Sequence, residues 1–258
     1  MTTVAITGGT GFVGSRTIER ALGASYSVRA LTRRDQQHRR GVIWVKGALD
    51  DPAALAELVT GADAVIHIAG VVNADRAGFV AGNIDGTRAI LTAASAAGIA
   101  RFVHVSSLAA REPGLSLYGW SKAEAERLVI ASDRDWTILR PAAVYGPGDM
   151  EMRDLFRAAK LGLALLPPPG IMAAVAVDDL RRDTNRARGP ERRIQRGVEF
   201  LRVEITVFEG SVPRILADHW FRGDDIDRTP GSVATIERSL RSFQHLDPVE
   251  VIEGAAGG

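Results

Sequence analysis

A five-residue β-rich run, Thr3–Thr7, passes without a gap into Gly8-Gly9-Thr10-Gly11-Phe12-Val13-Gly14. This junction constrains the fold more than any other stretch. Glycines let the backbone turn tightly and approach a ligand closely. The helical pattern that follows, Ser15–Leu22 with Gly23 as its stop, offers free N–H groups and a partial positive charge at its start. Gly8, Gly11 and Gly14 therefore have the spacing and flanking elements of a cradle for a dinucleotide diphosphate.

The alternation continues. Strands are expected at Ser27–Thr32, Val42–Lys46, Ala64–Ile68, Arg101–Ser106 and Thr137–Leu139, the last running into Pro141. Helices are expected at Ala53–Val59 behind an Asp51-Pro52 start, at Ile84–Ala97, and at Ser121–Ser132 with an onset near Leu117. This rhythm predicts an α/β fold, a Rossmann-type doubly wound parallel sheet covered on both faces. Ligands of such sheets bind beyond the carboxyl ends of the strands, where every motif below falls.

Composition narrows the function. The chain has 258 residues, 46% apolar and 24% charged, with a net charge of +1. That is ordinary globular usage and excludes a collagen, a long disordered tail or a membrane bundle. It gives no electrostatic pull toward nucleic acid or an anionic membrane. Cysteine is absent, which excludes disulfides, thiolate metal sites and cysteine nucleophiles. No metal-ligand spacing is seen, and no apolar run approaches ~18 residues. Strand-like residues begin at Thr3, leaving no room for a signal peptide, so a cytoplasmic protein is expected. His67 and His104 lie in predicted strands and read as packed core histidines; Asp149, Asp178 and Asp179 read as loop and cap residues.

Residues 1–180 contain 33 Ala and residues 181–258 only 5, while 13 of the 29 Arg fall in the last 78 residues. This break divides the expectation into a nucleotide-binding domain at 1–180 carrying most of the catalytic site, and a small, irregular, poorly ordered substrate lobe at 181–258. A change of translation frame in a GC-rich gene would produce the same shift from Ala to Arg codons. Reading the coding DNA downstream of Leu180 in its other frames tests that alternative.

The end of the second strand speaks to the cofactor. NAD sites usually carry an acidic residue there, for the ribose 2′-hydroxyl. This chain has Thr32, then Arg33 and Arg34. Arginine pairs with a 2′-phosphate through a forked, charge-assisted contact, so NADP is favoured, with NAD as the alternative. Tyr118 and Lys122 stand four apart in a helix and so share one face. A phenol with pKa ~10 is a weak base at neutral pH, and a neighbouring ammonium lowers that pKa. Ser106 and Ser107 end the fifth strand, where a hydroxyl could face the cofactor.

The motifs TGGTGFVG at 7–14, HIAG at 67–70, NIDGT at 83–87, HVSS at 104–107, YGWSK at 118–122, LRPAAVYGPGD at 139–149 and VDDL at 177–180 occur in this order. The chain thereby resembles the extended short-chain dehydrogenase/reductases, the NAD-dependent epimerase/dehydratase family, over about 70% of its length. The resemblance implies that Tyr118 donates and accepts the proton, Lys122 lowers its pKa and holds the nicotinamide ribose, and Ser107 binds the substrate oxygen. It places Phe12 and Val13 by the pyrophosphate, Ala69 and Gly70 along the cofactor, and Pro141 and Val144 at the nicotinamide. It also implies a small-molecule substrate, a nucleotide sugar among the options, and a homodimer through helices that include the Tyr118 helix.

Departures refine this. Gly47 is followed by Ala48 and Leu49 where relatives often carry an Asp. Leu108-Ala109 stand where dehydratases have an acidic pair, which argues against dehydration. Ala176 stands where a histidine is usual before VDDL. The expected activity is hydride transfer at a secondary alcohol or ketone carbon, by a reductase or an epimerase; both would use Ser107, Tyr118 and Lys122. The alternative is a relative that binds NADP(H) without turnover in a regulatory or structural role.

Overall fold

Strands buried on both faces read as near-continuous apolar runs. Val4-Ala5-Ile6 and Ala64-Val65-Ile66 are such runs and are at most 2% exposed. The computed structural model describes residues 1–146, 149, 172–176, 206–208 and 249–254. They form two units, one holding Met1–Pro141 and the strand Val249–Gly254, the other holding the described residues of Ala142–Leu180 and Val203–Pro248.

The first unit is built on a seven-stranded sheet. Its strands are β1 (Thr3–Thr7), β2 (Ser27–Thr32), β3 (Val42–Lys46), β4 (Ala64–His67), β5 (Arg101–Val105), β6 (Asp135–Pro141) and β10 (Val249–Gly254). The order is β10-β6-β5-β4-β1-β2-β3. β1 to β6 run parallel, and β10 closes the edge antiparallel to β6, from Val249 opposite Pro141 to Gly254 opposite Trp136. The winding reverses between β1 and β4, the switch point at which such sheets open a crevice.

Helices α2 (Pro52–Val59), α4 (Gly86–Ala96) and α5 (Leu117–Ile130) cover one face. Leu55, Leu58, Ile90, Ala94 and Val129 meet Ala5, Val65, Phe102 and Ile138 there. Helix α1 (Phe12–Gly23) turns Ile18 toward Gly9 and Ala30, on the opposite side of the strands. The predicted starts hold where capping chemistry is strong. Asp51 accepts from the N–H groups of Ala53 and Ala54 at 3.1 Å each, with Pro52 in the first turn.

Some boundaries differ from expectation. Helix α1 begins at Phe12 rather than Ser15, because the glycine turn itself winds into the first helical turn. The segment before α4 folds as a short helix, α3 (Arg76–Phe79), and a π-helical turn (Val80–Asp85), so the expected start at Ile84 falls inside that turn. Strand β6 is longer than Thr137–Leu139 because β5 and β10 pair along both its edges.

In the second unit, β7 (Ala143–Tyr145) pairs parallel with β8 (Met172–Ala176), and β8 antiparallel with β9 (Thr206–Phe208). The composition boundary at Leu180, Asp178 and Asp179 lie outside the described residues. Among the described residues no helix is long and apolar enough to cross a membrane, and no cluster of three His, Cys, Asp or Glu side chains forms a metal site.

Candidate functional site

The glycine turn sits where β1 and β4 end side by side. Gly8 has φ +72°, a conformation costly for any side chain. A Cβ on it would lie 2.6 Å from the Ala69 nitrogen, so the two strand ends touch through backbone alone. A Cβ on Gly14 would lie 2.0 Å from the Gly8 carbonyl oxygen, and the Gly11 N–H donates to that same oxygen at 3.0 Å. Gly11 is the N-cap of α1 and supplies no capping side chain. The first-turn N–H groups, with Phe12 and Val13 leading the helix, therefore have no side-chain acceptor there and suit a diphosphate. These are the tight contacts the predicted cradle needs, and a dinucleotide fits the residues present.

Arg33 and Arg34 are exposed directly after β2. The Thr32 hydroxyl shapes their turn, donating to the Arg34 carbonyl at 2.7 Å and accepting its N–H at 3.2 Å. Two exposed guanidinium groups thus stand beyond the strand whose end faces the adenosine ribose in such folds.

Ser116 starts α5, its hydroxyl accepting the Gly119 N–H at 2.9 Å. Tyr118, half-buried, tilts toward Phe79 with ring centres 6.2 Å apart. Lys122 is 4% exposed. Its ammonium donates to the Val105 carbonyl at 2.8 Å and lies 3.8 Å from where a Cβ on Gly70 would stand. Burial pushes its pKa down from 10.5 to about 8, and Glu126 partly opposes that by stabilising the charge. This desolvated ammonium stands one helical turn along α5 from Tyr118.

Ser107 caps the short 3₁₀ turn Leu108–Arg111, its hydroxyl accepting the Ala109 N–H at 3.2 Å. That turn packs against the start of α5, since a Cβ on Gly119 would meet the Ala109 carbonyl at 2.5 Å. The structure thereby brings the Ser107 segment to the Tyr118 turn, and Gly70 to Lys122. Pro141 ends β6 in the first unit, whereas Val144 belongs to β7 in the second; both are half-buried.

Two supporting groups escaped the sequence reading. Asn83, 2% exposed, accepts the Val71 N–H at 2.7 Å, donates to the Val71 carbonyl at 3.0 Å and donates to the Ser121 hydroxyl at 2.8 Å. Glu126 receives Arg140 through two bonds, 2.9 and 2.6 Å, tying α5 to β6 in a buried, two-point ion pair. A signal existed for Glu126, because Tyr118, Lys122 and Glu126 recur every fourth residue along one stripe of helix. The histidine reading holds: His67 and His104 are fully buried and stack with ring centres 5.3 Å apart.

Residues 4–164 match the NAD dependent epimerase/dehydratase family. The chain is 44% identical over 186 residues to the ceramide reductase of Caulobacter vibrioides, covering 68% of this chain and 57% of that protein. It is 31% identical over 169 residues to 4-hydroxy-2-methyl-3-oxo-4-farnesyl-3,4-dihydroquinoline-1-oxide ketoreductase of Stigmatella aurantiaca, covering 56% of this chain and 51% of that one. The matched segments thus span about half the length of these relatives. The crystal structure of the Bordetella bronchiseptica enzyme WbmH in complex with NAD+ shares the fold, with a TM-score of 0.63 and 23% identity over 70% of this chain and 69% of that one. With strand order, glycine cradle and helix-borne Tyr and Lys in place, this chain belongs to the NAD dependent epimerase/dehydratase family.

Proposed function

We propose that the chain carries the cofactor-binding and catalytic part of an NAD(P)-dependent ketoreductase or dehydrogenase acting on a secondary alcohol or ketone carbon. The observation that carries this reading is the buried Lys122 ammonium, held by the Val105 carbonyl beside Gly70 and one turn from Tyr118. When bound, the nicotinamide supplies or takes the hydride. Ser107 holds the substrate oxygen by a hydrogen bond. Tyr118 gives that oxygen a proton on reduction and removes it on oxidation. Lys122 keeps the phenol acidic enough to do so.

Reduction is preferred to dehydration because Leu108 and Ala109 offer no acid or base beside Ser107. It is preferred to epimerisation because the two relatives above are named as reductases. Those names also support a substrate with a large apolar body. Leu115 and Leu117 are 83% and 42% exposed directly before Tyr118, an apolar approach suited to a hydrocarbon chain. Arg33 and Arg34 support NADP(H) over NAD(H). A homodimer through α5 is proposed with this reading, and sedimentation of the purified protein tests it.

The enzyme test is NADPH oxidation with a panel of long-chain ketones and, separately, nucleotide sugars, for the wild type and Tyr118→Phe. Turnover of the ketones that drops at least about a thousandfold in the variant, with NADPH binding kept, is expected for loss of a general acid and its orientation. Binding without turnover in the wild type would favour a non-catalytic role, and turnover that survives the substitution would refute the role given to Tyr118.

A further inference from the structure

His67 sits in a hydrogen-bonded chain whose direction can be read from proton counting. The Thr87 hydroxyl donates its only proton to the Asn83 carbonyl at 2.6 Å, because a carbonyl can only accept. Thr87 must then accept from His67 Nε2, 3.0 Å away. A neutral imidazole with its proton on Nε2 leaves Nδ1 as an acceptor, and Nδ1 lies 2.6 Å from the Thr7 hydroxyl. Thr7 in turn accepts the Ala69 N–H at 3.3 Å. Protons therefore point one way from Ala69 through Thr7, His67 and Thr87 to Asn83. The neutral ring agrees with its surroundings: burial first, then the charge on Lys122, lower its pKa from 6.5 to about 3.

The two ends of this chain matter. Ala69 is the wall against which Gly8 packs. Asn83 holds both backbone groups of Val71 and reaches Ser121, whose hydroxyl bonds the Tyr118 carbonyl at 2.8 Å. We infer that His67, as its Nε2-protonated neutral tautomer, is a positioning residue that locks the Ala69–Val71 wall of the dinucleotide cradle to the helix carrying Tyr118 and Lys122. The assignment rests on the functional reading above only for what the two ends hold. Nothing in the chain of bonds requires His67 to touch substrate or cofactor.

The test uses the full chain, ¹⁵N-labelled, with Thr87→Val and Thr87→Ser. Two-bond ¹H–¹⁵N spectra of the wild type should show a protonated Nε2 and an unprotonated Nδ1 on His67. Thr87→Val removes both buried hydrogen bonds of the hydroxyl; it should move the amide signals of both Ala69–Val71 and Tyr118–Ser121 and weaken NADPH binding at least about tenfold. Thr87→Ser should restore both. A proton on Nδ1 in the wild type overturns the inference even if Thr87→Val does not fold. So do amide changes confined to α4, or a serine variant that behaves like valine. If the wild type binds neither NADPH nor NADH, the functional reading fails instead; the ring and amide signals, recorded without nucleotide, still decide the positioning claim.

Discussion

The Gly14 Cα faces the Gly8 carbonyl so closely that an added methyl would stand 2.0 Å from its oxygen. Gly11 faces the same oxygen with more room, 3.3 Å. The two glycines therefore predict different outcomes. Gly14→Ala forces helix α1 off the turn and should destabilise the protein by about 2–4 kcal/mol, the range of severe overpacking. Gly11→Ala should cost under about 1 kcal/mol in stability while weakening dinucleotide binding. Thermal melts beside nucleotide titrations check both, and equal melts for the two variants would contradict the packing described.

Lys122 makes stability depend on pH in a definite direction. Its pKa falls from 10.5 to about 8 on folding because burial disfavours the charge. Between those values the unfolded chain binds the proton more tightly, so stability rises as pH climbs from about 8 to 10.5 and is lowest below. Lys122→Met should flatten this rise in a chemical-denaturation series and gain stability at neutral pH, while abolishing turnover. A rise that persists unchanged in the variant would assign it elsewhere.

His104 presents a different case. It is fully buried, and neither ring nitrogen has a hydrogen-bond partner among the described residues. Burial, then the charge on Lys122, then His67 lower its pKa well below 6.5. Its folded value lies below the unfolded one, so the stability tied to its neutral form is present above pH 6.5 and is lost as pH falls below that. His104→Phe keeps the ring and removes two unsatisfied polar atoms, so stability should rise by about 1–3 kcal/mol at neutral pH. The gain should grow in mild acid; a loss at both pH values would mean that the ring nitrogens are satisfied in solution.

Arg33 and Arg34 set the cofactor preference in the proposed reading. Replacing both with alanine should raise the Kd for NADPH by about tenfold to a hundredfold, the worth of one charge-assisted bond of about 1.5–3 kcal/mol at this exposed site. NADH affinity should change little. Isothermal titration with both nucleotides checks this, and parallel losses for the two would remove the arginines from 2′-phosphate recognition.

Local chemistry made much of the fold legible. The βαβ rhythm, the Asp51 cap and the strand limits at Thr3–Thr7, Ser27–Thr32 and Val42–Lys46 follow from short-range patterns, and the structure has them where the sequence places them. The π-helical turn at Val80–Asp85 was not legible, because it is shaped by contacts distant in sequence: Asn83 reaching Val71 and Ser121, and Gly82 packed against Val71. Strand β10 was missed for the same reason, as its pairing partner β6 is more than a hundred residues away. At the site, the glycines and the Tyr118–Lys122 spacing stand out in the sequence, whereas the partner that gives Glu126 its place, Arg140, lies fourteen residues on in another element.

The antiparallel edge strand makes the parallel sheet depend on a segment more than a hundred residues downstream of the strand it covers. Until the ribosome has made that segment, β6 offers an open ladder of backbone groups to any other exposed strand. Cutting away Val249–Gly254 would leave that edge bare for good, so shortened versions of this protein should clump during expression even though their glycine cradle and its helix are intact.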